Sequence, residues 1–168
     1  MTNWYKESQE KTKTMVIVRG ISGSGKSTLA AELGKDGVIL TTDDYFYDDK
    51  GNYNFDPKKL KHAHEWNQNR TEEVMQNGAP LVVIDNTNVK FWEMRFYVEL
   101  AHKYGYEVEF AKPDWHPDLY TDKGKWNFEF LKGRNKHNVP DYALRNSINK
   151  FDYDPTVEKV LDSKAPWE

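Results

Sequence analysis

Apolar residues in this chain fall into short continuous runs separated by longer amphipathic stretches. That rhythm predicts strands alternating with helices. Met15-Val16-Ile17-Val18 predicts a buried strand over residues 15–19, and a helix follows over 27–33, stopped by Gly34 and Gly37. A second strand is predicted over 38–42, ending on Asp43 and Asp44; residues 45–55, with Asp48, Asp49, Gly51 and Asn52, read as a loop. Asp56-Pro57 has the form of a helix start, Asp as N-cap and Pro in the first turn. That helix runs to about residue 76, where Asn77-Gly78 stops it, with Leu60, His64 and Asn67 on one face beside Ala63 and Trp66. Leu81-Val82-Val83-Ile84 is the clearest strand and ends on Asp85-Asn86-Thr87-Asn88. A helix over 91–104 closes at Gly105. In the fourth strand, 106–111, Tyr106, Val108 and Phe110 alternate with Glu107 and Glu109, which predicts one exposed face and hence an edge or a partly covered strand. Residues 113–124 read as a loop and 126–138 as a helix carrying Lys132, Arg134, Lys136 and His137. Pro140 opens a helix to about 151, and 155–161 form a last short one.

Strands alternating with helices imply an α/β fold: a parallel sheet of four or five strands flanked by helices, with a helical segment beyond the fourth strand. With 168 residues and no repeat or low-complexity linker, one domain is expected over 15–161. It is preceded by a flexible lead-in over 1–14 and followed by a tail, 162–168, that carries no readable signal. No apolar run approaches membrane-spanning length and residues 1–14 do not read as an export signal, so cytoplasm is the expected compartment and no membrane partner is expected. Cysteine is absent, which removes disulfides, thiol catalysis and thiolate metal sites. His62 and His64 are two apart and cannot share a helix face, which argues against zinc. The net charge of −3 weakens any bulk attraction to nucleic acid, while Lys58, Lys59 and Lys61 read as a solvated face.

The chemistry centres on Gly20-Ile21-Ser22-Gly23-Ser24-Gly25-Lys26-Ser27-Thr28, which matches the P-loop pattern between a strand and a helix. Gly20, Gly23 and Gly25 let the loop curl, with Ser22, Ser24 and Thr28, so that backbone N–H groups face an anion at a helix N-terminus. Lys26 is expected on the β- and γ-phosphates of ATP and Ser27 on Mg²⁺. Asp85, after the apolar strand, is the expected second metal residue, with Asn86 competing for that place; Asn88 and Thr87 contact the acceptor or fold the turn.

Read with Thr42-Asp43-Asp44-Tyr45-Phe46, Asp85-Asn86-Thr87-Asn88 and Arg134-Asn135, the chain resembles the P-loop polynucleotide 5′-kinase family. Within it, Gly51-Asn52-Tyr53, Ala63-His64, Trp66-Asn67, Arg70 and Trp92-Glu93-Met94 make it similar to the kinase domains of the NEDD-four-binding proteins and their cyclic-nucleotide phosphodiesterase relatives. The resemblance covers residues 16–153 and implies a P-loop kinase fold with a helical lid. It further implies transfer of the ATP γ-phosphoryl group to a 5′-hydroxyl end of RNA or DNA, with Asp43 as general base and Arg134 as the lid arginine. Asp43 as a metal-side residue or helix cap is the alternative, and Asp44 reads as structural. Phage-type members carry an Arg where this chain has Phe46, so the acceptor is held differently here: a base stacked on Phe46 or Tyr45, or a Phe46 packed into the core. His64 and Arg70 fall on the acceptor side in such folds. Two other functions stay open: a small-molecule kinase acting on a nucleoside, sugar or antibiotic, and a non-catalytic nucleotide-binding switch.

Overall fold

The structure, a computed structural model, describes residues 12–134 and 138–168. Most of the expected lead-in, with Asn135, Lys136 and His137, lies outside the described residues. Strands β1 (Thr14–Val18), β2 (Val38–Leu40), β3 (Leu81–Asp85) and β4 (Glu107–Ala111) form one four-stranded sheet in the order β2–β3–β1–β4, all parallel. β1 and β3 lie at the centre and β4 at an edge, one of the two places its alternation predicts.

Alternate side chains of the central strands enter separate layers, as the two-residue period of a strand requires. Met15, Ile17, Val82 and Ile84 pack with Met75, Met94, Tyr97, Val98 and Val160. Those partners come from helices α2 (Leu60–Gln76), α3 (Phe91–Tyr104) and the short final helix Val157–Asp162. Val16, Val18 and Val83 face the other way, onto Leu29 and Ala30 of α1 (Lys26–Leu33). Each fully covered Met, Ile or Val among them contributes about 1.5–3 kcal/mol of burial. A third cluster, Ile21, Leu119, Trp126, Leu131, Leu144 and Phe151, holds the segment beyond β4 together.

Several expectations are corrected. The helix over 126–138 is confined to α4 (Phe128–Leu131), because Gly133 takes φ 79° and turns the chain. The second strand stops at Leu40: Thr41 caps, and Thr42–Phe46 winds into a 3₁₀ turn. On the long helix Leu60 is exposed and Ala63, Asn67, Thr71 and Met75 form the buried stripe, after a 3₁₀ turn at Pro57–Lys59 capped by Asp56. Helix α3 has the predicted bounds, with Gly105 left-handed after it, and α5 (Asp141–Lys150) follows Pro140.

Candidate functional site

Because the sheet is parallel, the carboxyl ends of β1, β2 and β3 share one edge, where Val18 lies level with Asp85 and Leu40 with Ile84. The loop after β1 curls through Gly23 (φ 84°) and Gly25 (φ 88°) into the start of α1. A Cβ on Gly25 would stand 2.7 Å from the Trp115 indole nitrogen, and one on Gly23 would stand 3.1 Å from Arg134. Both glycines therefore serve a close approach as well as a left-handed backbone. Ser24 is fully buried, its N–H spent on the Ile21 carbonyl at 3.0 Å and its hydroxyl lying under Gly20. The Ser24 hydroxyl is buried with no hydrogen-bond partner among the described residues. Ser27 and Thr28 are exposed at the first turn of α1.

Lys26 Nζ lies 3.0 Å from Asp85 Oδ1, with both side chains largely buried. Asp85 is thus the acidic partner at the loop, and Asn86 has a different task. Asn86 Oδ1 accepts the Thr42 N–H at 3.0 Å and so ties the 3₁₀ turn to the end of β3. Asn88 is buried in a left-handed turn (φ 48°), its amide donating to the Val18 carbonyl at 2.9 Å. Arg19, buried against Phe151, donates to the carbonyls of Asn88, Val89 and Asp152 and clamps this turn; desolvation lowers its pKa to about 10. Asn88 therefore folds this turn, and it also contributes to the lining of the cleft that Lys26 shares.

The 3₁₀ turn sorts the two adjacent carboxylates. Asp44 pairs with Arg70 at 3.0 Å, and Arg70 also donates to the Thr41 carbonyl and to Asn67 while packing over Trp66. Arg70 thereby braces the turn from α2. Asp43 instead faces a cleft of about 1040 Å³ lined also by Lys26, Thr42, His64, Asn86 and Trp92. Burial first, then the neighbouring Asp43 carboxylate with its hydrogen bond, pushes the Tyr53 hydroxyl up to about 12. Tyr53 is a site residue that pattern reading missed, lying beyond a polar loop with no periodicity to mark it. Desolvation lowers the His64 pKa against the opposing pull of Asp43. Phe46 is buried among Tyr45, Tyr53 and Phe55, which decides between its two readings in favour of packing. Tyr45 stays partly exposed, edge-on to Trp66.

From the far side, the segment beyond β4 closes on the P-loop. Trp115 Nε1 donates to the Ser24 carbonyl at 2.7 Å, and Arg134 Nε reaches the Gly23 carbonyl at 3.4 Å. The guanidinium lies 4.9 Å from the Trp115 ring centre and 5.2 Å from that of Phe130. Trp115 left no trace in the pattern, because a single aromatic in a loop has no period to announce it.

Residues 15–122 match the family described as AAA domain. The chain belongs to that family of P-loop domains, and its architecture is that of a P-loop kinase. It is 41% identical over 158 residues to human NEDD4-binding protein 2, an alignment that spans 90% of this chain and 8% of that protein. The chain thus corresponds to a small part of that relative. Among solved structures it is similar to a chain of the Pnkp1/Rnl/Hen1 RNA repair complex, with 17% identity and a TM-score of 0.59, covering 83% of this chain and 44% of that one. Shikimate kinase from Acinetobacter baumannii is similar at 16% identity and a TM-score of 0.50, covering 92% and 84%. At such identities these structures speak for the fold alone.

Proposed function

We propose that this chain transfers the γ-phosphoryl group of ATP to the 5′-hydroxyl end of RNA or DNA. The observation that carries the reading is Asp43, a carboxylate held by Tyr53 and facing the same cleft as Lys26 of the P-loop. A hydroxyl bound in that cleft would give its proton to Asp43 as its oxygen attacks the γ-phosphorus in line and ADP leaves. Lys26 and Arg134 would balance the charge that develops on the transferring group. The Ser27 hydroxyl and Asp85, directly or through water, fit Mg²⁺, which takes one or two protein oxygens beside phosphates; the ion would draw charge from the β- and γ-oxygens. The sequence likeness to NEDD4-binding protein 2 and the fold likeness to Pnkp1 favour a polynucleotide acceptor over other hydroxyls.

One observation favours a second reading, a small-molecule kinase. Lys26, Lys61 and Arg95 in the cleft lining are matched by Asp43, Glu65, Glu93 and Glu168, so the lining of this cleft offers no basic stripe to a phosphate backbone. Incubation with γ-labelled ATP, Mg²⁺ and 5′-hydroxyl RNA, 5′-hydroxyl DNA, nucleosides and sugars separates the readings. Label at oligonucleotide 5′ ends is the expected result. Label on a nucleoside or sugar alone would replace it with the second reading, and bound ATP with no transfer would indicate a switch.

The contact of Trp115 with the P-loop gives a further expectation. Trp115→Ala removes one hydrogen bond and the ring beneath Arg134, together worth about 1–2 kcal/mol. The KM for ATP should rise about 5- to 30-fold with the KM for the acceptor unchanged. An unchanged KM for ATP in steady-state kinetics would detach this segment from nucleotide binding.

A further inference from the structure

Residues 163–168, silent in the sequence, fold back across α3 and form part of the wall of the cleft. Arg95 donates to the Ser163 carbonyl at 2.6 Å and to both carboxylate oxygens of Glu168, one at 2.7 Å. Glu168 also accepts the Ala165 N–H at 2.9 Å, which closes the segment into a tight loop. The loop carries Trp167 with its ring edge-on to Trp92, centroids 5.0 Å apart and planes at 75°. Trp167 is 77% exposed, yet Trp92, Ala165 and Trp167 line the same cleft as Lys26 and Asp43. An indole held out of the core by an ion pair and a second indole keeps most of its apolar surface available for another flat partner.

The other charges in the cleft narrow what that partner is. Of the cations that line the cleft, Lys26 is engaged by Asp85 and Arg95 by Glu168, which leaves Lys61 to meet a phosphate backbone. Of the two aromatics the sequence offered for stacking, Phe46 is buried, and Tyr45 lies edge-on to Trp66 outside the lining of this cleft. We infer that Trp167, braced by Trp92 and by the Arg95–Glu168 pair, is the stacking surface for a nucleobase of the acceptor strand. The inference rests on the polynucleotide reading of the site and deepens it. The chain would hold its acceptor through a base face, which every nucleotide offers, and so would tolerate any sequence at the end it modifies.

The test is steady-state transfer from labelled ATP to 5′-hydroxyl oligonucleotides by the wild type, Trp167→Ala and Trp167→Phe. Stacking on an aromatic is worth about 1–3 kcal/mol per base, so Trp167→Ala should raise the oligonucleotide KM about 5- to 150-fold. The KM for ATP should stay unchanged, and Trp167→Phe should recover most of the loss. An oligonucleotide KM within twofold of wild type in Trp167→Ala, with the wild type active on oligonucleotides, overturns the inference and leaves the kinase reading intact. An equal rise in both KM values, or no recovery by Trp167→Phe, also overturns it, because a structural role would explain either. A wild type that labels sugars or nucleosides but no oligonucleotide removes the polynucleotide reading itself, and this inference with it.

Discussion

Asp43→Asn should lower kcat for phosphoryl transfer about 10²- to 10⁴-fold, the usual contribution of a positioned general base, while leaving the fold in place. The reason lies in the contacts of Asp43. Among the described residues it has no ion-pair partner, unlike its neighbour Asp44, which is paired to Arg70. Its backbone N–H is capped by Thr41 Oγ1 at 3.4 Å, and that contact does not use the side chain. An amide oxygen can still accept from Tyr53, so the substitution removes basicity and little else. The alternatives for Asp43 predict other results. A metal-side role would show as a raised Mg²⁺ requirement with kcat restored at saturating Mg²⁺. A capping role would show as a lower Tm with kcat nearly unchanged. The kinetic split between kcat and Mg²⁺ half-saturation, read beside a thermal melt, separates the three.

What the chain disclosed depended on whether a residue's role is local. Helix α3 was legible because its apolar spacing, first-turn Glu93 and following Gly105 all lie within one stretch. Asp56-Pro57 announced its helix for the same reason, the Asp56 carboxylate accepting from the Lys58 N–H two residues on. The P-loop was legible because strand, glycines and helix are contiguous. Asp43 and Asp44 are parted by a 3₁₀ turn, which aims one at the cleft and the other at Arg70. Residues whose work is done on distant partners stayed hidden. Trp115 meets Ser24 ninety-one positions earlier, and Arg95 meets Glu168 seventy-three positions later, so no window of sequence contains either pair. The overlong helix over 126–138 has the same origin. Trp126, Phe128 and Leu131 serve the third core cluster and not a helical face, and Gly133 then turns the backbone.

The pairing of Lys26 with Asp85 makes Lys26 the position where stability and catalysis should come apart. Lys26→Ala deletes the cation proposed for the β- and γ-phosphates, and transfer should fall at least 10²- to 10³-fold, as for loss of one transition-state donor. It also leaves Asp85, 4% exposed, without its counter-ion. Breaking a buried pair from one side costs about 3–5 kcal/mol, because the remaining charge stays desolvated. For a domain of this size about 3 kcal/mol corresponds to a fall in Tm of roughly 6–12 °C. Adding Asp85→Asn to Lys26→Ala removes the stranded charge, so the double variant should regain most of the lost Tm. It should regain none of the transfer activity, because the phosphate contact is still missing and the metal residue has gone with it. Melts of the two single variants and the double variant, without nucleotide, test the first half. A double variant no more stable than Lys26→Ala would mean that Asp85 finds another cation or water once Lys26 is gone. Labelled-ATP transfer by the same three proteins tests the second half, and activity retained by Lys26→Ala would remove Lys26 from the phosphoryl-transfer machinery.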